Sequence, residues 1–183
     1  MRVLVIGDFH IPTRARALHP LIKDRVERRD YDLILCTGDL VAPTVLEWLR
    51  SLTERLHVVR GNMDYLQLPL RDVVLLGDLK IGLTHGSEIR PRGNVRGLTA
   101  LAKSMHVDIL VHGHTHVLSI GRLSPHDPLL LNPGSATGVW SGGGGSLIPS
   151  FMILEILQSR ALRIFTYELI GGRLKESSKL IKL

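Results

Sequence analysis

Three short apolar runs, Arg2 to Ile6, Asp32 to Thr37 and Leu56 to Val59, alternate with amphipathic segments and each stops at a glycine-containing polar loop. That order constrains the fold more than anything else in the chain. Parallel neighbours in a sheet need a crossover, and a helix supplies it, so strand–helix–strand–helix–strand predicts a parallel sheet with covering helices. The first helix is predicted over Leu18 to Arg29, where Leu18, Leu21, Ile22 and Val26 fall near helical spacing and Pro20 sits in the first turn. The second is predicted over Thr44 to Leu52, with Pro43 near its start.

The second half reads differently. Val73 to Leu76 and Leu79 to Thr84 flank Gly77-Asp78, a hairpin signal. A polar loop from His85 to Asn94 leads to a predicted helix over Val95 to Met105. A strand from Val107 to Val111 then runs out into Gly113-His114-Thr115-His116. In an extended segment residues i and i+2 face the same side, so His114 and His116 are predicted to face one small volume. Val117 to Leu123 and Leu129 to Leu131 read as further strands. Asn132 to Gly138 reads as a tight loop and Ser141 to Ser146 as a flexible glycine-rich segment. Phe151 to Leu157 and Leu162 to Leu169 read as a final antiparallel pair followed by a short basic tail. The expectation is an α/β fold of two sheets packed face to face with helices outside, in a single domain spanning 1–183 with no linker and no repeat.

The chemistry collects at the strand ends. The first strand ends at Asp8 and His10, and the second at Asp39. The third ends at Asn62 with Asp64 beside it, the hairpin strand at His85, and the next at His114 and His116. Ligands of open α/β sheets bind beyond the carboxyl ends of the strands. Carboxylate, amide and imidazole together favour a borderline divalent ion such as manganese, iron, cobalt, nickel or zinc. Seven donors exceed one tetrahedral ion and suit two ions sharing a carboxylate. A pair of ions about 3.5–4 Å apart is suited to phosphoryl chemistry, polarising phosphoryl oxygens and generating hydroxide at neutral pH.

Asp8-x-His10, Gly38-Asp39, Gly61-Asn62, His85-Gly86 and Gly113-His114-Thr115-His116 resemble, in order, the five motifs of the calcineurin-like metallophosphoesterases. Longer stretches, including Gly7 to Pro12, Ile34 to Gly38, Asn132 to Gly138 and Ile148 to Phe151, resemble one branch. It comprises small prokaryotic phosphodiesterases related to the retromer subunit vacuolar protein sorting-associated protein 29, and the likeness runs from Met1 to about Ile170. The resemblance implies a four-layer α-β-β-α sandwich of two mixed sheets. It implies one metal held by Asp8, His10, Asp39 and His116, and a second held by Asp39, Asn62, His85 and His114. Asp39, Asn62 and His85 would act in catalysis through the metals. Two divalent ions are implied, with Mn2+ favoured and Ni2+, Co2+, Fe2+ or Zn2+ as alternatives, in a phosphodiesterase using metal-activated hydroxide on a small phosphodiester. Eukaryotic retromer subunits generally carry altered ligands around the Asp39 and Asn62 positions and act as scaffolds; this chain keeps the acid, the amide and all four histidines.

One position departs from the pattern. Many family members have a histidine where this chain has Met63, and methionine cannot donate a proton. General acid catalysis contributes typically ~10²–10⁴-fold, so the change predicts phosphodiesters as substrates and weak activity on alkyl monoesters.

The remaining site expectations concern neighbours of the ligand loops. Arg14 and Arg16 follow His10, Arg60 precedes Asn62, and Arg90, Arg92 and Arg96 follow His85. Guanidinium groups bind phosphate bidentately, so one or two of these are expected to touch substrate, with a solvated surface as the alternative. Asp64 is expected to orient a ligand, or to form a turn, and Ser135 to line the site, or to shape its loop. His112 is expected to pack the wall of the site, and His19, His57, His106 and His126 to be structural.

Composition sets the rivals. The formal net charge is +6, which suits an anionic partner or reflects surface composition alone. It raises a nuclease as one alternative, although nothing resembles an added DNA-binding domain and aromatic residues are few, so nucleic acid is not the favoured partner. A retromer-like scaffold docking a protein partner is the other, and a homo-oligomer is a further possibility; Phe151, Ile153, Leu162, Phe165 and Tyr167 of the final pair could form an exposed apolar patch, but core packing is the favoured reading of those residues. Cys36, the one cysteine, excludes an intrachain disulfide and reads as a core residue. No apolar run is long enough to span a membrane, and Met1 to Asp8 is too short for a signal peptide, so the expected setting is cytoplasmic.

Overall fold

The computed structural model describes residues 1–158 and 160–183. The elements follow the chain as β1 (Arg2–Ile6), α1 (Pro20–Val26), β2 (Leu33–Cys36), α2 (Pro43–Leu52), β3 (Leu56–Val58), β4 (Arg71–Leu76), β5 (Leu79–Thr84), α3 (Val95–Ser104), β6 (Ile109–Val111), β7 (Leu118–Gly121), β8 (Leu129–Pro133), β9 (Ser150–Ile156), β10 (Ala161–Ile170) and β11 (Arg173–Lys182). They form a six-stranded sheet in the order β11-β10-β9-β1-β2-β3 and a five-stranded sheet in the order β4-β5-β6-β8-β7. Both are mixed. β1, β2 and β3 run parallel, as do β5, β6 and β8, while β9 lies antiparallel to β1 and β4 antiparallel to β5.

Alternation along the strands builds the layers, because successive side chains leave a strand on opposite faces. Val3 and Val5 of β1, with Leu33 and Leu35 of β2, point into the core between the sheets, where they meet Ile81 and Leu83 of β5, Ile109 and Val111 of β6 and Leu131 of β8. Leu4 and Ile6 point the other way, with Ile34 and Cys36, and pack under Ile22 and Val26 of α1 and Val45, Leu46 and Leu49 of α2. On the far side Leu110 and Leu130 are covered by Leu98, Leu101 and Ala102 of α3. The result is four layers, helices–sheet–sheet–helix, and burial on both faces explains why β2 and β6 are apolar throughout.

Two sequence expectations, on the first helix and the tail, need correction, and the favoured core reading of the final pair holds. Helix α1 is shorter than Leu18 to Arg29. His19 caps it, its Nδ1 accepting from the Leu21 N–H at 3.3 Å, and Arg29 lies beyond its end with φ 55°. The basic tail is a ten-residue strand, paired with β10 from Ile170↔Arg173 to Ala161↔Lys182. Gly171 and Gly172, with φ 58° and 72°, supply the two left-handed residues that a two-residue hairpin turn requires. The final pair is core rather than an exposed patch: Phe151, Ile153, Leu162 and Tyr167 are buried and Phe165 is half-buried. No helix among the described residues is long and apolar enough to cross a membrane.

Candidate metal centre

The loops that follow β1, β2 and β3 in one sheet meet those that follow β5 and β6 in the other. Asp8, His10, Asp39, His114 and His116 all have left-handed backbone, with φ between 50° and 70°. Such residues cost of order 1–3 kcal/mol each and persist where the surroundings over-determine them, which is typical of functional sites. The conformation also overturns the extended Gly-His-Thr-His segment expected from the sequence. β6 ends at Val111, and the two histidines diverge from a folded loop.

Asp8, His10, Asp39 and His116 are all buried and offer ligand atoms that lie within 4.8 Å of one another. His10 Nε2 and His116 Nε2 are 3.0 Å apart, His116 Nε2 is 3.3 Å from Asp8 Oδ1, and His10 Nε2 is 3.3 Å from Asp39 Oδ2. The same Asp39 Oδ2 lies 3.5 Å from His85 Nε2, which in turn lies 3.0 Å from Asn62 Oδ1. The His85 and His114 rings sit edge to face with centroids 5.1 Å apart. His116 thus faces Asp8 and His10, and His114 faces His85.

Backbone carbonyls fix the imidazoles. His85 Nδ1 bonds the Thr37 carbonyl at 2.8 Å and His116 Nδ1 bonds the Val139 carbonyl at 2.7 Å. A carbonyl only accepts, so each ring carries its proton on Nδ1 and turns the Nε2 lone pair inward. Asp39 Oδ1 is occupied by the Met63 N–H at 2.8 Å, which leaves Oδ2 as the oxygen facing both histidine sets. Asp8 Oδ2 accepts from the His114 N–H at 3.1 Å, and Asp8 Oδ1 makes no hydrogen bond.

Asp8 Oδ1, His10 Nδ1 and His114 Nε2 are buried polar atoms without a hydrogen-bond partner. Orphaned atoms of this kind are costly; Asp8 Oδ1 lies 3.3 Å from His116 Nε2, while His10 turns its other ring nitrogen, Nε2, to His116 and Asp39. Burial pushes the pKa values of His10 and His114 down to about 4, so both rings are neutral near pH 7. Burial alone would raise Asp8, but His116, His85 and His10 outweigh it and hold the carboxyl below its ordinary value. For Asp39 burial prevails over the pull of His85, with Asp8 adding repulsion, and its pKa is raised. His116 is raised, its loss to burial being overcome by Asp8. Neutral imidazoles and crowded carboxylates are the donor set a divalent cation would satisfy.

The supporting residues are built as tightly. Asp64, buried, accepts from the Asp39 N–H at 2.8 Å, the Gly61 N–H at 2.9 Å and the Val41 N–H at 2.8 Å, tying the second and third ligand loops together. Ser135 is buried, and its hydroxyl donates to the Asp8 carbonyl at 2.7 Å. His112 sits in the wall, 3.2 Å from Asn132 Nδ2. A Cβ on Gly61 would fall 2.0 Å from Asp39 Oδ1, and one on Gly113 would fall 2.6 Å from Asp8 Oδ2, so both positions are glycine by contact.

The arginines divide. Arg14 donates to the Trp140 carbonyl at 2.8 Å, and Arg92 donates to the His114 carbonyl at 3.3 Å and to Ser141 O and Oγ at 2.9 and 2.7 Å. These two hold loops. Arg16 lies outside the centre, lining a cleft with Leu18 and Trp48. Arg60, Arg90 and Arg96 are exposed, and Arg60 lines a cavity together with His85. The sequence reading missed Thr37 and Val139, because they act through backbone carbonyls and their side chains carry no signal. It also missed that Ser141 to Ser146 is pinned, with the Ser146 N–H and Oγ both donating to the His116 carbonyl.

Comparison with known proteins agrees with this architecture. The family model of the calcineurin-like phosphoesterase superfamily domain matches residues 1–159. The chain is 33% identical over 180 residues to vacuolar protein sorting-associated protein 29 of Schizosaccharomyces pombe, covering 96% of this chain and 95% of that protein. The crystal structure of wild-type Vps29 complexed with zinc, from Entamoeba histolytica, superposes with a TM-score of 0.90 at 39% identity, covering 98% of this chain and 99% of that one. A predicted phosphoesterase from Streptococcus pneumoniae superposes with a TM-score of 0.69 at 27% identity over 97% of both chains.

Proposed function

This chain belongs to the calcineurin-like phosphoesterase superfamily, and from that premise we propose that it is a di-metal-dependent phosphodiesterase acting in the cytoplasm. The carrying observation is that Asp8, His10, Asp39 and His116 bring buried ligand atoms within 4.8 Å of one another, with His85 3.5 Å from the same Asp39 Oδ2. Asp8, His10, Asp39 and His116 would hold one cation, and Asp39, Asn62, His85 and His114 the other, with manganese favoured. When bound, divalent ions polarise phosphoryl oxygens and acidify a water nucleophile. The chain's own residues do the positioning. Asp39 would offer Oδ2 to both cations, because the Met63 N–H occupies Oδ1. The Thr37 and Val139 carbonyls hold His85 and His116 in the tautomer that ligates. The Met63 side chain supplies no proton to a leaving group, which favours activated diesters over alkyl monoesters.

The test is a screen of metals against monoesters, diesters, cyclic nucleotides and single-stranded DNA. Expected is manganese-dependent hydrolysis of bis(4-nitrophenyl) phosphate that a chelator abolishes. His85→Ala should reduce it by more than the ~10–100-fold typical of losing an outer-shell partner. No hydrolysis of any aryl diester with any metal would sink the reading, and preferential cleavage of DNA would turn it toward a nuclease. The likeness to vacuolar protein sorting-associated protein 29 over nearly the whole chain supports a second reading, a scaffold that docks a protein partner. A stoichiometric partner retained by Asp8→Ala and His85→Ala would favour it.

A further inference from the structure

Beside the candidate centre lies a cavity of about 410 Å³, lined by Arg60, Leu70, Arg71, His85, Ser87 and Glu88. Its volume falls within the ~300–1,000 Å³ usual for small-molecule sites. His85 belongs to the centre, so whatever occupies the cavity reaches the donors directly. The charges of the lining do not cancel. Arg71 is neutralised by Glu88, its Nη2 3.2 Å and Nε 3.3 Å from Oε1, and the Thr84 hydroxyl donates to that same oxygen. Arg60 has no carboxylate within ion-pair distance among the described residues, and its guanidinium makes no hydrogen bond there. The backbone behind it is fixed, its N–H donating to the Pro69 carbonyl at 2.7 Å. The cavity therefore carries one uncompensated positive charge, a hydroxyl at Ser87 and an apolar wall at Leu70. Of the other arginines flanking the centre, Arg14 and Arg92 are committed to backbone carbonyls.

We propose that this cavity is a subsite for a second phosphate carried on one ester arm of the substrate, with Arg60 as the specificity-determining residue. The inference rests on the phosphodiesterase reading above and names its substrate class: phosphodiesters with an additional phosphate, such as a nucleotide ester phosphorylated on its sugar. The scissile phosphate sits at the centre, the arm crosses His85 along Leu70, and the guanidinium takes the second phosphate bidentately.

Two substrates that share the scissile bond and leaving group test this with manganese present: thymidine 5′-(4-nitrophenyl phosphate), with and without a 3′-phosphate. The native protein is expected to prefer the 3′-phosphorylated ester by about tenfold in kcat/KM, the low end for a hydrogen bond to a charged group. Salt should erode the preference. Arg60→Gln should bring the ratio to about 1, and Arg60→Lys should keep part of it. A native ratio of 1 or less, or a ratio unchanged in Arg60→Gln, overturns the proposal. If neither ester is hydrolysed, the phosphodiesterase reading fails and calorimetry decides the subsite separately. Tighter binding of thymidine 3′,5′-bisphosphate than of thymidine 5′-monophosphate, lost in Arg60→Gln, upholds it, and equal binding overturns it.

Discussion

Asp64 holds three backbone N–H groups and touches no other side chain of the centre through a hydrogen bond. Asp64→Ala would leave all three without an acceptor. At ~1–3 kcal/mol for each unsatisfied buried group, the variant should lose about 3 kcal/mol or more in urea denaturation. Its metal affinity, by titration calorimetry, should fall ~10–100-fold because Asp39 loses its brace. Tyr31 carries a pH prediction. Burial raises its pKa from 10.0 to about 12, and its hydroxyl donates to the Val26 carbonyl at 2.8 Å. The native state therefore holds a proton that the unfolded chain releases above pH 10. The stabilisation is fully present below pH 10 and is lost as pH rises toward 12, on the order of 2–3 kcal/mol in all. Tyr31→Phe should flatten that alkaline decline in melts between pH 9 and 12. At this scale the candidate group Asp8, His10, Asp39 and His116 was legible, since each is a polar residue shortly after an apolar run. Thr37 and Val139 were not, because a carbonyl is common to every residue. Asp64 was half-legible: its neighbourhood was evident, but its three partners depend on how two loops meet.

Among the elements, β4 and β5 were readable because Gly77-Asp78 separates two apolar runs, and α3 because its apolar positions recur at helical spacing. Strand β11 escaped because it is an edge. Ile181 is buried and Leu174 half-buried, while most other side chains face water, so the segment reads as a polar tail. Its lysines also suit an exposed edge, where charge discourages pairing with other chains. Replacing Gly172, at φ 72°, by Val should cost about 1–2 kcal/mol by thermal melt, since a β-branched residue is poorly suited to left-handed backbone. The glycine-rich segment shows the opposite failure. Composition predicts flexibility, yet Arg92 and the His116 carbonyl hold both ends. Arg92→Ala should speed amide exchange at Ser141 to Ser146, as followed by NMR, because that end is then released from the His114 loop.

For the whole molecule, the layers follow from two-residue alternation, in which Val3 and Val5 face one core and Leu4 and Ile6 another. Which sheet a late strand joins was not legible: β9 returns from the second half to pair with β1, a long-range choice that no local pattern encodes. A ligand that binds only the folded chain stabilises it by mass action. Manganese at a hundred times its Kd should therefore add about 2.7 kcal/mol, and a chelator should remove it, as a shift in Tm. Asp39→Asn should largely abolish that shift. The candidate donors come from both sheets, with Asp8, His10, Asp39 and Asn62 after strands of one and His85, His114 and His116 after strands of the other. A cation held by these residues would be a bolt through a seam. Sliding one sheet along the other would then pull its coordination apart, so metal exchange and the breathing of the sandwich would become one event, and the rate of the first a clock for the second.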